Sequence, residues 1–496
     1  MTGDDLLILL ALGVPLFAAA VTYAVGRMPD VRETMTLVAC IALSIITISM
    51  FMRTGAGHPP SLVLAEPMSG VEIAFRLEPL GALFAVMASV LWGVNSLFSI
   101  GYMRGRREPH QTRFYMCFAL AMFGVMGVAM AANLFTLFIF YEVLTFSTYP
   151  LVTHRGDEAA RKAGRTYLAT LVGASVVLFL PGIIAVTALM GSSTFTPGGL
   201  LAARVDDGAA NIILLLLTFG VAKAALMPLH GWLPSAMVAP APVSALLHAV
   251  AVVKAGVFTV LKVSTYIFGP ELISTLWAAQ LILWVAAGGI VVASVVALTR
   301  DDLKARLAWS TVGQLSYVTA AAMLPWANGL IAGGLHMVFH AVAKITLFMC
   351  AGAIYVATGA TKVSEMEGLG RRMPVVFVCF MLASFSIIGL PPMAGMWSKL
   401  LLVTASFGSG AWMVAAAMIV SALLSVCYLL PLAFRALFPP MAAPVRDFVR
   451  PGGAPGLAVA AIVITAGACF ALFVLADAMA AYLEPLRTES FVEGAP

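Results

Sequence analysis

Residues 133–152, NLFTLFIFYEVLTFSTYPLV, form an apolar run in which Glu142 is the one acidic or basic side chain among twenty residues. A helix of about 20 residues is long enough to cross a hydrocarbon core of about 30 Å. Runs of similar length recur along the chain, which is 61% hydrophobic and 10% charged, whereas soluble domains carry about 25% charged residues. The composition therefore excludes a water-soluble fold and predicts one transmembrane domain over residues 1–496.

The apolar runs predict an all-α membrane protein with about fourteen transmembrane helices. Helices suit lipid because they satisfy every backbone hydrogen bond within the segment. The predicted spans are 5–25, 35–52, 78–102, 113–131, 133–152, 166–190, 210–228, 240–266, 271–299, 303–325, 328–358, 373–407, 411–438 and 455–482.

The basic residues predict the orientation of these helices. With the N-terminus outside, the inner loops hold 19 of the 28 lysines and arginines, as the positive-inside rule requires of cytoplasmic loops. An even number of spans then places both termini on the outer side of the cell membrane. The inner cations are Arg27, Arg32, Arg104, Arg106, Arg107, Arg113, Arg155, Arg161, Lys162, Arg165, Arg300, Lys304, Arg306, Lys362, Arg371, Arg372, Arg435, Arg446 and Arg450.

Two predicted spans are interrupted by prolines. Pro228 and Pro234 break the seventh span, and Pro391 and Pro392 break the twelfth, since each proline removes a helical hydrogen bond. Breaks in two separate parts of a membrane chain indicate repeated halves with sites at the broken helices. Halves of five helices each have inverted orientations. The predicted divisions are a first repeat at 113–266 (helices 4–8), a second at 271–438 (helices 9–13) and a C-terminal helix at 455–482.

Several ionisable residues lie within the apolar spans. A charge at mid-membrane costs at least about 2.5–3.5 kcal/mol, so such a residue usually has a partner or a function. Glu142 has no cation in its own span, and Lys223 and Lys254 are the nearest along the chain. We predict a pair between Glu142 and Lys223. The alternative is that the buried charges form purely structural ion pairs.

The eleventh span carries a polar stripe. HMVFHAVAKITLF places His336, His340 and Lys344 at intervals of four residues, on one side of a helix. Lys399 follows the second break. Spread over several spans, these groups predict a chain for passing protons, because histidine titrates near neutrality and ordered water can bridge gaps.

Other polar residues have plainer interpretations. Lys262 lies near the end of its span, where a lysine is expected to snorkel to the interface. Lys304 fits a topology signal at a helix start. For His248 and His230, a structural hydrogen bond and a role in transport are equally compatible with the sequence, and we keep His248 in the predicted pathway.

The chain has no recognisable cofactor, metal or catalytic motif. It contains no phosphate-binding glycine loop, zinc-ligand spacing or nucleophile motif, and its six cysteines are scattered singly. We predict no cofactor, no metal and no nucleic-acid partner, and we expect any redox chemistry to belong to other subunits.

Five ordered blocks resemble the antiporter-like subunits of Mrp-type cation/proton antiporters, respiratory complex I and membrane-bound hydrogenases. The blocks are NLFTLFIFYEVLTFSTYPLVTH, LMPLHGWLPSAMVAPAPVSALLHAVAVVKAGVF, DDLKARLAWSTVGQLSYV, HMVFHAVAKITLF and SIIGLPPMAGMWSKLLL. The resemblance implies that Glu142, Lys223, Lys254 and Lys399 are the family's proton-pathway residues of helices 5, 7, 8 and 12. YEVLTFSTYPLVTHRG and VVKAGVF are most similar to the D-type subunit of the Mrp antiporters.

The sequence leaves three functions open. The first is a proton-translocating subunit of a multisubunit Na⁺/proton antiporter, embedded in the plasma membrane beside other membrane subunits. The second is a proton-pumping subunit of a complex I-like NADH:quinone oxidoreductase or a membrane-bound hydrogenase. The third is a scaffold whose buried charges only fix helix packing. Co-purifying subunits distinguish the first two, and charge-neutral replacements test the third.

Overall fold

The protein is a bundle of long helices with one small sheet. The computed structural model describes residues 3–68, 70–202, 204–325, 327–438 and 453–490, so that Arg446 and Arg450 of the predicted inner cations lie outside it. Within the described residues, eleven helices are long and apolar enough to cross a membrane. The all-α membrane fold is confirmed, whereas the count of fourteen crossings and the division into inverted repeats stay predictions.

The long helices are numbered in chain order. The first seven are α1 (Gly3–Ala24), α2 (Pro29–Gly55), α3 (Pro79–Arg106), α4 (Gln111–Met130), α5 (Leu134–Val152), α6 (Glu158–Met190) and α7 (Asp207–Gly220). The others are α8 (Ala241–Phe268), α9 (Trp277–Thr299), α10 (Leu303–Met323), α11 (Ala327–Thr358), α12 in two segments (Pro374–Ile388 and Gly395–Gly408), α13 (Trp412–Leu437) and α14 (Gly456–Val474). Strands β1 (Ser61–Met68) and β2 (Val71–Arg76) form an antiparallel hairpin between α2 and α3.

Both predicted breaks are present, but the first begins earlier than expected. α12 stops at Ile388, where Gly389 adopts a left-handed conformation (φ 93°), and resumes at Gly395, so both of its prolines lie in the gap. α7 already ends at Gly220, eight residues before Pro228. Gly220 packs so closely on α6 that a Cβ there would lie 2.3 Å from the Phe179 nitrogen. The predicted seventh span, 210–228, is therefore helical only in its first half.

Two helices occupy the centre of the bundle. The most apolar stretches of α8 and α11 are buried entirely within the protein, whereas α9 is about half buried and exposes Trp277 and Trp284. A helix that is apolar all round belongs inside a membrane protein or a large core. α8 is also irregular, since it contains π-helical turns at Leu247–Ala251 and Ser264–Phe268. Such turns often occur at functional sites.

Connections between helices contact one another at the ends of the bundle. At one end, the backbone N–H of Leu303 donates to Thr361, which joins the α9–α10 and α11–α12 connections. At the other end, the Asn133 side chain donates to the Glu72 carbonyl of the hairpin at 2.9 Å. The first hydrogen bond joins two connections that are predicted to be inner, and the second joins two that are predicted to be outer. Which end faces the cytoplasm stays a prediction.

Candidate ion pathway

Lys223 is buried in the unwound segment that follows α7. It lies in a single 3₁₀ turn, Ala222–Ala224, and is 0% exposed. Its Nζ donates to the Tyr141 carbonyl at 2.7 Å and to the Thr145 hydroxyl at 2.6 Å, and it lies 3.1 Å from the centre of the Tyr141 ring. The broken segment therefore delivers an ammonium group to the middle of α5.

The predicted direct pair between Glu142 and Lys223 is not formed. Both carboxylate oxygens of Glu142 are buried and have no hydrogen-bond partner among the described residues. The Lys223 ammonium instead binds α5 one residue before and three residues after Glu142, where the Glu142 charge still acts on it. The two groups are electrostatic neighbours on one helix face rather than an ion pair.

A continuous line of side chains joins three helices. Lys254 Nζ of α8 forms a short hydrogen bond to His340 Nδ1 of α11, and the His340 and His336 rings stack with centres 5.8 Å apart. His336 Nδ1 then lies 3.0 Å from the Ser398 hydroxyl of α12. All four side chains are buried, so this line runs through the interior rather than along the surface.

Lys399 lies beside the far end of this line. Its Nζ donates to the Ile388 carbonyl at 3.2 Å, and it lies 5.1 Å from the centre of the Tyr317 ring. Tyr317 of α10 stacks on His336 with ring centres 5.4 Å apart. The end of the first α12 segment therefore holds Lys399 next to the histidine stack, and the lysine keeps 8% of its surface exposed.

Lys344 and His248 also lie apart from the line. Lys344 donates to the Leu307 carbonyl of α10 at 3.1 Å, one helical turn beyond His340. His248 lies in the π-helical turn before Lys254, 6.0 Å from the Trp232 ring centre, and neither ring nitrogen has a hydrogen-bond partner among the described residues. In the part of the chain that the structure describes, no hydrogen bond or ion pair links His248 or Lys223 to Lys254.

Lys262 does not snorkel, contrary to the prediction. It is 0% exposed, its Nζ lies 2.7 Å from a Glu78 carboxylate oxygen, and it donates to the Ala131 carbonyl at 2.5 Å. Phe195 packs over the ammonium with its ring centre 4.4 Å away. Because Glu78 directly precedes α3 and its carboxylate reaches Lys262, the lysine has a buried partner and no need to reach the interface.

Sequence reasoning missed several side chains that contact the predicted lysines and histidines. Thr145 and Tyr141 flank Glu142, and Ser398 precedes Lys399, so proximity in the sequence was an available signal for these three. Tyr317 and Glu78 lie far along the chain from the groups they contact, and their roles appear only in the folded protein.

A further buried histidine, His154, lies outside the helices, in the connection between α5 and α6. His154 follows α5, is 1% exposed, and has no partner for either ring nitrogen among the described residues. Burial lowers the pKa of its imidazole to about 4, and the charges of Arg113 and His110 add to this shift. His154 is therefore neutral at physiological pH. No group of three or more His, Cys, Asp or Glu side chains is placed to hold a metal ion in the described residues.

Comparisons with known proteins agree with this architecture. A family model described as NADH:quinone oxidoreductase/Mrp antiporter, TM matches residues 131–425. NADH-quinone oxidoreductase subunit N of Desulforudis audaxviator is 32% identical over 429 residues, which cover 84% of this chain and 83% of that protein. NADH-ubiquinone oxidoreductase chain 5 of Cryptococcus neoformans is 31% identical over 477 residues, which cover 91% of this chain and 69% of that protein.

Solved structures show the same fold. A chain in the structure of the Mrp complex from Dietzia sp. DQ12-45-1b superimposes with a TM-score of 0.87, at 23% identity, over 98% of both chains. The family model covers more than half of this chain, and the relative from D. audaxviator exceeds 30% identity over most of both chains. The resemblance seen in the sequence motifs is therefore confirmed, and the chain belongs to the family of antiporter-like membrane subunits shared by NADH:quinone oxidoreductases and Mrp antiporters.

Proposed function

We propose that this chain is the proton-translocating, D-type member of a multisubunit Na⁺/proton antiporter of the Mrp class in the plasma membrane. The observation that carries the proposal is the buried line from Lys254 through His340 and His336 to Ser398, built by three different helices. Buried ionisable groups inside a membrane protein mark ion pathways or proton relays. The family membership supports the same function.

The line has the chemistry of a relay. Each imidazole has two nitrogens, so it can accept a proton at one nitrogen and release one at the other. Lys254 reaches one nitrogen of His340, while the second nitrogens of His340 and His336 have no protein partner among the described residues. Those nitrogens can exchange protons with bridging water. Protons enter the line from the side of Glu142 and Lys223. They leave it on the side of Lys399.

A proton-pumping subunit of a complex I-like enzyme is the second candidate. The D. audaxviator and C. neoformans relatives, both described as oxidoreductase subunits, favour it through their identity and coverage. The same side chains serve in both candidates, because only the source of energy differs. In either case we expect a hetero-oligomer with other membrane subunits.

The first experiment identifies those subunits. The tagged chain is purified from its native membrane in mild detergent, and every co-purifying protein is identified by mass spectrometry. A larger homologous antiporter subunit with small hydrophobic subunits would support the antiporter. Subunits that carry flavin, iron–sulfur clusters or nickel–iron would instead assign the chain to a redox-driven pump.

A second experiment tests translocation itself. Glu142→Gln is compared with Glu158→Gln, which changes an exposed acid at the start of α6, in everted membrane vesicles that contain equal amounts of assembled complex. We expect Glu142→Gln to abolish proton-coupled transport and Glu158→Gln to retain it. Full activity of Glu142→Gln would favour the scaffold alternative.

A further inference from the structure

A cavity of about 340 Å³ lies between the starts of α8 and α10 and the end of α11, and no residue of the histidine line lines it. Its polar lining consists of Arg155, Lys304, Asp302, Tyr102, Tyr355 and Thr361. Small-molecule sites typically have volumes of about 300–1,000 Å³. The cavity is therefore large enough for a ligand, and its charged side chains indicate which kind.

The charges around the cavity are mainly positive. Lys304 is fixed in the wall because its Nζ donates to the Ala239 carbonyl at 2.5 Å, and the Arg155 charge acts on it. Next to the cavity, the Arg106 guanidinium lies 4.5 Å from the ring centre of the lining residue Tyr355 and donates to its hydroxyl at 3.1 Å. Two cations therefore line the cavity, and a third contacts its wall.

Two carboxylates oppose the three cations only in part. Asp302 uses one carboxylate oxygen to cap α10, accepting the Ala305 N–H at 2.8 Å, and Glu108 also acts on Lys304. Ala241, which lines the cavity, is the first residue of α8, and no side chain caps this N-terminus. A helix N-terminus carries a positive partial charge, so the site keeps a net positive potential.

We propose that this cavity binds a phosphate group. Arginine and lysine are the side chains that bind phosphate, and Arg155 and Lys304 both line the cavity. The remaining walls are apolar and include Met237, Leu303 and Ala351. They can contact the glycerol and upper acyl region of a phospholipid, while the charged side chains can bind either its headgroup phosphate or free phosphate. Phosphate binding at this cavity does not depend on which ion the histidine line carries.

The test measures binding of two probes to the purified complex. Phosphatidylglycerol retention is counted by native mass spectrometry, and inorganic phosphate binding is measured by equilibrium dialysis. Thr361 lines the mouth of the cavity and is exposed, so Thr361→Glu places a carboxylate there without disturbing the core. Thr361→Gln is its matched control, and Arg155→Gln is matched by Arg161→Gln, an exposed arginine of α6 outside the cavity.

The outcomes distinguish the two sources of phosphate. We expect Thr361→Glu and Arg155→Gln to weaken binding at least about tenfold, equivalent to about 1.4 kcal/mol, while both controls stay within about twofold. Loss of phosphatidylglycerol alone assigns a lipid headgroup, and loss of inorganic phosphate assigns a soluble ligand. The proposal would be overturned if neither variant changed the binding of either probe. It would also be overturned if the unmodified complex bound neither probe.

Discussion

Replacing Lys262 by methionine is expected to destabilise the protein strongly. The lysine and glutamate side chains of this pair are 1% and 10% exposed, and their charged atoms lie 2.7 Å apart. Removing one partner of a buried ion pair costs about 3–5 kcal/mol, because the other charge is left buried without compensation. Lys262→Met also removes the hydrogen bond to Ala131, so we expect a cost toward the upper end of that range.

The double variant separates the ion pair from simple loss of packing. Neutral replacement of both partners is often nearly neutral, so Lys262→Met combined with Glu78→Gln should cost no more than either change alone. Free energies are compared by reversible unfolding in mixed detergent micelles, with Lys162→Met, an exposed lysine, as the matched control. A cost of Lys262→Met below about 1 kcal/mol, or a double variant that costs the sum of the singles, would show that the ion pair does not stabilise the fold.

Three further predictions concern single contacts. Thr145→Val removes the 2.6 Å hydrogen bond to Lys223 and should slow proton transport several-fold in proteoliposomes with assembly unchanged; equal rates would contradict a role for this contact. Gly256→Ala should lower the free energy of unfolding by about 1–3 kcal/mol, because its Cβ would lie 2.3 Å from the Lys223 carbonyl carbon. The His154 imidazole takes up a proton near pH 6.5 in the unfolded chain but only near pH 4 in the folded protein, where burial lowers its pKa to about 4. Acidification across that window therefore favours the unfolded state and lowers the stability of the fold. His154→Phe should therefore weaken the pH dependence of the melting temperature between about pH 4 and pH 6.5. His58→Gln, which changes an exposed histidine, should leave that pH dependence unchanged.

The sequence predicts those features that depend on local composition. Apolar runs set the membrane class, and the twelfth span breaks at Pro391 and Pro392 because proline cannot continue a helix. The intervals of four residues in α11 place His336 and His340 on one face, where their rings stack. In each case the information needed lies within one or two helical turns.

The features that were predicted wrongly depend on residues distant in the sequence. The sequence predicts that Lys262 snorkels, because its partner Glu78 directly precedes another helix far along the chain. Lys223 was expected to bind the Glu142 carboxylate, yet it reaches the backbone of Tyr141 and the hydroxyl of Thr145. Sequence reasoning identifies a buried charge that needs a partner, but tertiary packing decides which oxygen supplies it.

The hydrogen bonds around the two stacked histidines also assign a polarity to the line. When Lys254 carries its proton it is the donor, so His340 Nδ1 is the acceptor and His340 holds its own proton on Nε2. The Ser398 hydroxyl donates to the Gly395 carbonyl at 3.3 Å, so it accepts from His336 Nδ1, which leaves His336 Nε2 without a proton. A protonated nitrogen on His340 therefore precedes a bare nitrogen on His336. Under the proposed function, a proton that arrives from Lys254 would be passed toward Ser398 of α12, and the line would have to reset its tautomers before it could carry the next one.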